Sequence, residues 1–407
     1  MNQLLDFLRA RRDAQTAMLA ALVRIPTDNP PGDCAPAAAL VAAMLEAEGL
    51  AVERHPVPPD AVRAAGMVSC TNLIVRRQFG AGGPVLALNA HGDVVPPGTG
   101  WTADPYGAEI RDGWMFGRGA AVSKSDIVTY AYALLALDHA HAPLRGGVEL
   151  HVTFDEESGG EIGPKYLLSQ GASKPDAAIA AGFSYAVTTA HNGALHLEVE
   201  VTGRSAHAAR PATGIDALEA ATHILAALYR FRAEALPGRA SAIAGIGSPQ
   251  LTVGLIEGGI NTNVVPDRVA FRLDRRIVPE EQPDAVEREL RDLIGCAAMA
   301  FPHARVAIRQ VLLATPLTPL PGASRLADIL CRHASATLGE PVGTTGVPLY
   351  TDARHYAAAG VPIVLYGAGP RSIEEANAHR ADERVRLSDL HAAIEVVALA
   401  VAEFLKA

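Results

Sequence analysis

Glu156 and Glu157 stand side by side at the end of an apolar run, Val152-Thr153-Phe154-Asp155-Glu156-Glu157-Ser158-Gly159-Gly160. Adjacent carboxylates leaving a strand point in different directions. One can hold a metal while the other moves a proton, the division that metal-assisted amide hydrolysis needs. His91 and Asp93, separated by Gly92, close another short apolar run that begins at Val85. Imidazole is the commonest side-chain ligand for zinc, and its second ring nitrogen needs a partner to fix the tautomer. An aspartate two residues on lies on the same side of an extended chain and can be that partner.

Strands must deliver these residues. The spacing predicts a helix over 4–23, ended by Pro26, Pro30, Pro31 and Gly32. A helix over 35–48 and strands over 51–55, 72–76 and 85–89 follow. A helix over 125–139 then precedes the strand 148–154 that carries the glutamates. Strands alternating with helices imply an α/β domain, its sheet mostly parallel with helices on both faces. Ligands bind beyond the carboxyl ends of strands in such sheets, where His91, Asp93, Glu156 and Glu157 all fall.

The pattern changes near His191. His196, Glu198 and Glu200 alternate with Leu195, Leu197, Val199 and Val201, a strand with one wet and one buried face. With helices over 216–231 and 284–294 and strands over 251–257, 269–274 and 306–311, this reads as a compact α+β insert, an antiparallel sheet with two helices on one face. The Pro-rich stretch 315–322 returns the chain to the first domain, completed by a helix over 324–338, a strand over 362–366 and a last helix over 390–405. The expected division is one domain over 1–190 and 313–407, with an inserted domain over 191–312.

Composition narrows the function classes. A net charge of -9 argues against nucleic-acid binding through a basic surface. The four cysteines, Cys34, Cys70, Cys296 and Cys331, show no zinc or redox spacing and read as reduced thiols. Asp6, Arg9, Arg11, Arg12 and Asp13 make the N-terminal stretch an amphipathic helix rather than a secretory signal. No apolar run reaches bilayer length. The expected setting is a reducing cytoplasm, with no membrane partner.

Further segments occur in order with these: Gly100-Trp101, Asp104-Pro105, Gly117-Arg118-Gly119-Ala120, Gly203-Arg204-Ser205-Ala206-His207, Asn263-Val264-Val265-Pro266-Asp267, Asp274-Arg275-Arg276, Thr351-Asp352-Ala353-Arg354 and Ala378-His379 with Glu383. The series resembles the zinc hydrolase family of acetylornithine deacetylase, succinyl-diaminopimelate desuccinylase, aminoacylase and glutamate carboxypeptidase, over nearly the whole chain. The resemblance implies that 1–190 and 313–407 form a catalytic domain and 191–312 a lid/dimerisation domain used for homodimerisation, with a two-metal hydrolytic site and a small carboxylated substrate such as an N-acyl amino acid or short peptide. It makes His91 a ligand of one metal, oriented by Asp93. Glu157 and His379 become ligands of the other metal, and Glu156 the general base. His207 stabilises the oxyanion across the dimer, and Asn263 and Arg276 bind the substrate's carboxylate or backbone.

The chain departs from that family at two ligand positions. Val122 stands where an aspartate bridging both metals is expected, and Asp126 follows one helical turn later on the same face, its backbone roughly 6 Å further along. Ala181-Gly182 stands where a second acid is expected, and no acid lies between Asp176 and Glu198. Two dications with so few carboxylates would repel each other. One divalent ion, zinc before cobalt or manganese, held by His91, Glu157 and His379, matches a catalytic shell of two histidines and a glutamate. Two alternatives stay open. One is acid–base chemistry of deaminase, lyase or isomerase type with one metal or none, using Glu156, Glu157, His91 and Lys124. The other is a catalytically silent homologue.

Overall fold

A computed structural model describes residues 2–141 and 143–406. They form two compact units. The first comprises residues up to Thr189, Pro319–Thr345 and Thr351 onward, and the second comprises Ala190–Thr318 and Gly346–Tyr350.

The first unit is organised on a large mixed sheet. Six of its strands lie in the order Val52–Pro56, Thr71–Gly80, Gly146–Thr153, Val85–His91, Ala177–Ala180 and Ile363–Leu365. The last four are mutually parallel, while the first two are antiparallel additions at one side. All eight residues of Gly146–Thr153 are buried, as befits a strand covered on both faces. Register aligns the functional ends: His91 pairs with Thr153, and Asn89 with Ala180. Glu156 therefore begins three residues beyond the position opposite His91.

Helix Lys124–Ala140 is buried from Lys124 through Leu137 and packs against Leu387–Phe404. A helix apolar on all sides belongs inside a domain rather than on its surface. The helix expected over 4–23 is two helices, Asn2–Ala10 and Arg12–Val23. The Leu8 carbonyl, which an unbroken helix would offer to Arg12, instead accepts from the Arg11 N–H at 3.2 Å and the Gln15 side-chain amide at 2.9 Å. A small sheet, in the order Arg384–Arg386, Trp114–Phe116 and Glu109–Arg111, went unforeseen because its strands are three residues long and have no readable period.

The second unit is an antiparallel sheet in the order Leu251–Gly258, Arg268–Ile277, Gly193–Thr202 and Arg305–Ala314. Leu195, Leu197, Val199 and Val201 enter its core with residues of helices Ala217–Glu234 and Pro283–Ala298. Glu198 and Glu200 face the other way and pair with Arg272, Arg309 and Arg268. Asp216 caps the first of these helices, accepting from the Leu218 and Glu219 amides. Among the described residues, no helix is long and apolar enough to cross a membrane.

Candidate metal centre

His91 ends its strand with its side chain almost wholly covered. Its backbone is fixed by Ser123, whose hydroxyl accepts from the His91 N–H at 3.1 Å and donates to the His91 carbonyl at 2.9 Å. The ring Nδ1 lies 3.1 Å from the Asp93 carbonyl and 3.3 Å from its carboxylate. Nδ1–H thus has acceptors, and Nε2 is the nitrogen that could hold a metal. Burial alone would lower the His91 pKa. The hydrogen bond to Asp93 and the charges of Glu156, Asp93 and Glu157 outweigh it and raise the pKa well above the usual imidazole value. Gly92, between the two, lets the chain approach the Phe154 ring, for a Cβ there would sit 2.4 Å from Phe154 Cε1.

Asp93 is fully buried and does more than orient one ring. Its carboxylate accepts from the backbone N–H of Glu156 at 3.2 Å and of Glu157 at 3.1 Å, and from the Asn29 side-chain amide at 3.0 Å. One aspartate thereby ties the end of one strand to the turn after another. That turn is a single 3₁₀ segment, Glu156–Ser158, closed by Gly159 at φ 116° and Gly160 at φ 67°. Ligand atoms of His91, Glu156 and Glu157 all lie within 4.8 Å of one another. Burial, with the charges of Glu157 and Asp93, pushes the Glu156 carboxyl up to about 8 against the opposing pull of His91. His379, in the left-handed region at φ 61°, places Nε2 3.4 Å from Glu157 Oε1. That contact, working against partial burial, raises the His379 pKa.

Several neighbours carried no role in the sequence reading. The carbonyl of Gly159 accepts from the Arg354 guanidinium and lies 3.0 Å from His355 Nε2. Asp352 presses against Gly160, where a Cβ would meet Asp352 Oδ1 at 2.2 Å. Burial and the charge of Glu156 push the Asp352 carboxyl up to about 8. The signals were the glycine pair after the glutamates and the Thr351-Asp352-Ala353-Arg354 run. Lys124, which the sequence reading did give an acid–base role in one alternative, is also buried. Its ammonium donates to the Ile25 carbonyl at 2.8 Å, and burial lowers its pKa to about 8.

Asp126 does not point a free carboxylate at the glutamates. It is buried and accepts from the Ala368 N–H at 2.7 Å and from the Gly182 backbone. Burial pushes it up to about 7 despite those donors. Val122 is held by its backbone, its N–H donating to the buried Glu383 carboxylate, which also pairs with Arg118 at 2.6 Å.

His207, Asn263 and Arg276 belong to the second unit. The loop with His207 pairs with the one carrying Asn263: His207 bridges Val264, and the Ala208 N–H donates to the Asn263 carbonyl at 3.0 Å. His207 is exposed. Its Nδ1 accepts from the Ala209 N–H at 3.0 Å, so the proton of the neutral ring sits on Nε2. Arg276 pairs with Asp274 at 3.0 Å and lies 5.8 Å from the Tyr350 ring centre.

A strand-end histidine is locked to an aspartate that also grips a glutamate pair, and the family model for peptidase family M20/M25/M40 matches residues 87–403. The chain belongs to that family. This M20 chain is 30% identical to an acetylornithine deacetylase of Myxococcus xanthus over 366 residues, covering 89% of this chain and 90% of that one. It is 29% identical to a succinyl-diaminopimelate desuccinylase of Rhodospirillum centenum over 395 residues, covering 92% and 93%. Its fold matches the crystal structure of the Bacillus subtilis YXEP protein, a dinuclear metal-binding M20 peptidase, at a TM-score of 0.70 and 16% identity, covering 98% of this chain and 99% of that one. As an M20 protein it is a metal-dependent hydrolase of amide bonds.

Proposed function

We propose that this M20 hydrolase removes the acyl group from a small carboxylated N-acyl amino acid, or cleaves a short peptide, with one divalent ion. The observation that carries this reading is the His91, Glu156 and Glu157 group, with Asp93 bonded to all three. Its donor set, imidazole and carboxylate, suits zinc, with cobalt or manganese as substitutes. His91, Glu157 and His379 would hold the ion, which would polarise the scissile carbonyl and acidify the attacking water. The side chains support a count of one: valine at 122 cannot ligate, Ala181-Gly182 offers no acid, and Asp126 is engaged by backbone donors.

Glu156 takes the proton from the attacking water. It then hands that proton to the leaving nitrogen, so the same carboxylate serves as base and acid. His207, with its proton on Nε2, donates to the tetrahedral oxyanion, supplied from the partner subunit of a homodimer formed through the second unit. Asn263 and Arg276 bind the substrate's carboxylate or backbone. The four thiols, all free, suit a reducing cytoplasm.

Glu156→Gln tests the assignment. Turnover of N-acyl amino acids should fall by about 10²–10⁴-fold while zinc uptake and the thermal unfolding curve are kept. A Glu156→Gln enzyme that turns over at the wild-type rate sinks the proton role.

A further inference from the structure

Asp352 stands immediately before helix Ala353–Ala358 with 4% of its surface exposed, and neither carboxylate oxygen has a hydrogen-bond partner. The other buried acids nearby are better supplied. Asp93 has three N–H donors besides His91, Glu383 has Arg118 and two backbone amides, and Asp155 has the Ile162 N–H at 2.7 Å. A buried carboxylate without donors is unfavourable, more so beside like charges. Its interacting neighbours are the acids Glu156 and Asp93 and the bases His91 and Arg354.

The chain is nonetheless built to keep this acid against the glutamate turn. Gly160 has no side chain where Asp352 Oδ1 comes to rest. Arg354 and His355, on the same short helix, hold the Gly159 carbonyl and so fix Asp352 beneath the turn. Arg354 also reaches the Thr351 carbonyl at 3.4 Å, so two of its nitrogens are engaged with backbone. What such an arrangement lacks is positive charge arriving at the turn from outside. The one cluster of candidate ligands among the described residues, His91, Glu156 and Glu157, receives that charge when a divalent cation binds.

We infer that Asp352 is a positioning residue of the metal centre, a non-ligating carboxylate beneath the Glu156–Glu157 turn whose negative charge strengthens binding of a divalent cation. It is outside the group of mutually close ligand atoms, so it acts through the turn and through the field rather than by coordination. The inference rests on the metal-binding reading of the same site. It gives this chain an anionic contribution from a segment more than 190 residues after the glutamates, in a site that lacks acids at Val122 and Ala181-Gly182.

The test is a zinc titration of the full-length chain, stripped by chelator, against a competing chromogenic chelator, for wild type and Asp352→Asn, with thermal melts of both metal-free proteins. Zinc should bind the variant about 10–100-fold more weakly, the range for groups that support ligands from behind. The metal-free variant should melt at or above metal-free wild type, because a neutral isostere replaces an unpaired acid. Equal zinc affinity in the two proteins overturns the inference while leaving the metal reading intact. A metal-free variant that melts lower assigns Asp352 to folding alone and also overturns it. Wild type that takes up no zinc, cobalt or manganese removes the metal reading itself, and this inference with it.

Discussion

The backbone N–H of Glu157 donates to Asp93 Oδ2 at 3.1 Å. Through that bond a residue at the end of one strand sets the conformation of the turn after its parallel neighbour. The same carboxylate lies 3.3 Å from His91 Nδ1. The orientation of the His91 ring and the turn geometry therefore share one anchor, and they should fail together. In Asp93→Asn one acceptor oxygen becomes a donor facing N–H groups. Metal affinity should fall by about 10–100-fold, and folding stability by about 1–3 kcal/mol. Metal titration and urea unfolding read the two effects. A variant that loses stability but binds metal as wild type does would separate the roles and refute the shared anchor.

Gly160→Ala tests the packing under the turn. An added Cβ would approach Asp352 Oδ1 at 2.2 Å and His355 Nε2 at 2.7 Å, on a backbone at φ 67°. The strain should cost about 1–3 kcal/mol in denaturant unfolding. Wild-type stability in this variant would show that the Asp352 segment is not seated against Gly160.

His355 predicts an acid limb in the stability profile. Burial, followed by the charge of Arg354, lowers its pKa to about 4 from the ordinary imidazole value of 6.5. The unfolded chain binds a proton at a higher pH than the folded chain does. Stability associated with neutral His355 is therefore fully present above pH 6.5 and is lost as pH falls toward 4. The full difference is about 3 kcal/mol. His355→Asn should flatten the wild-type loss across that window in urea unfolding measured from pH 7.5 to pH 4. An unchanged slope rejects the assignment.

The parts of this molecule that sequence makes legible are those governed by short-range pattern. Apolar runs ending in His91 and in Asp155-Glu156 mark parallel strands, and the alternation from Leu195 to Val201 marks a half-buried antiparallel one. Ordered motifs supplied the family. Asp93 was legible as a partner of His91 but not as an acceptor for the glutamate amides, since that depends on the register pairing His91 with Thr153. Asp352 was visible only as a member of a motif. Its meaning lies in what surrounds it in space, and nothing local in the sequence says that an acid near the C-terminal third will sit unpaired beneath a turn at 156–160. The break at Arg11 was hidden for a similar reason: a side-chain amide from Gln15 reaches back to the Leu8 carbonyl in competition with the helix.

Asp126 offers the sharpest separation of fold from chemistry. Sequence spacing left it as a candidate to replace the acid missing at Val122, yet its carboxyl accepts from the Ala368 N–H and the Gly182 backbone. Burial holds its pKa at about 7, above the ordinary value of 3.8. The folded state thus keeps a proton that the unfolded chain loses at lower pH, so the group's contribution to stability falls as pH rises from 3.8 to 7. Asp126→Asn keeps an acceptor oxygen for the buried amides and cannot ionise. It should match wild type near pH 4 and exceed it at pH 8 by on the order of 2–4 kcal/mol. Asp126→Ala leaves those amides without an acceptor and should lose about 2 kcal/mol or more near pH 4. Zinc content should be unaltered in Asp126→Asn. A variant that gains no stability with pH and loses its metal would return Asp126 to the ligand set.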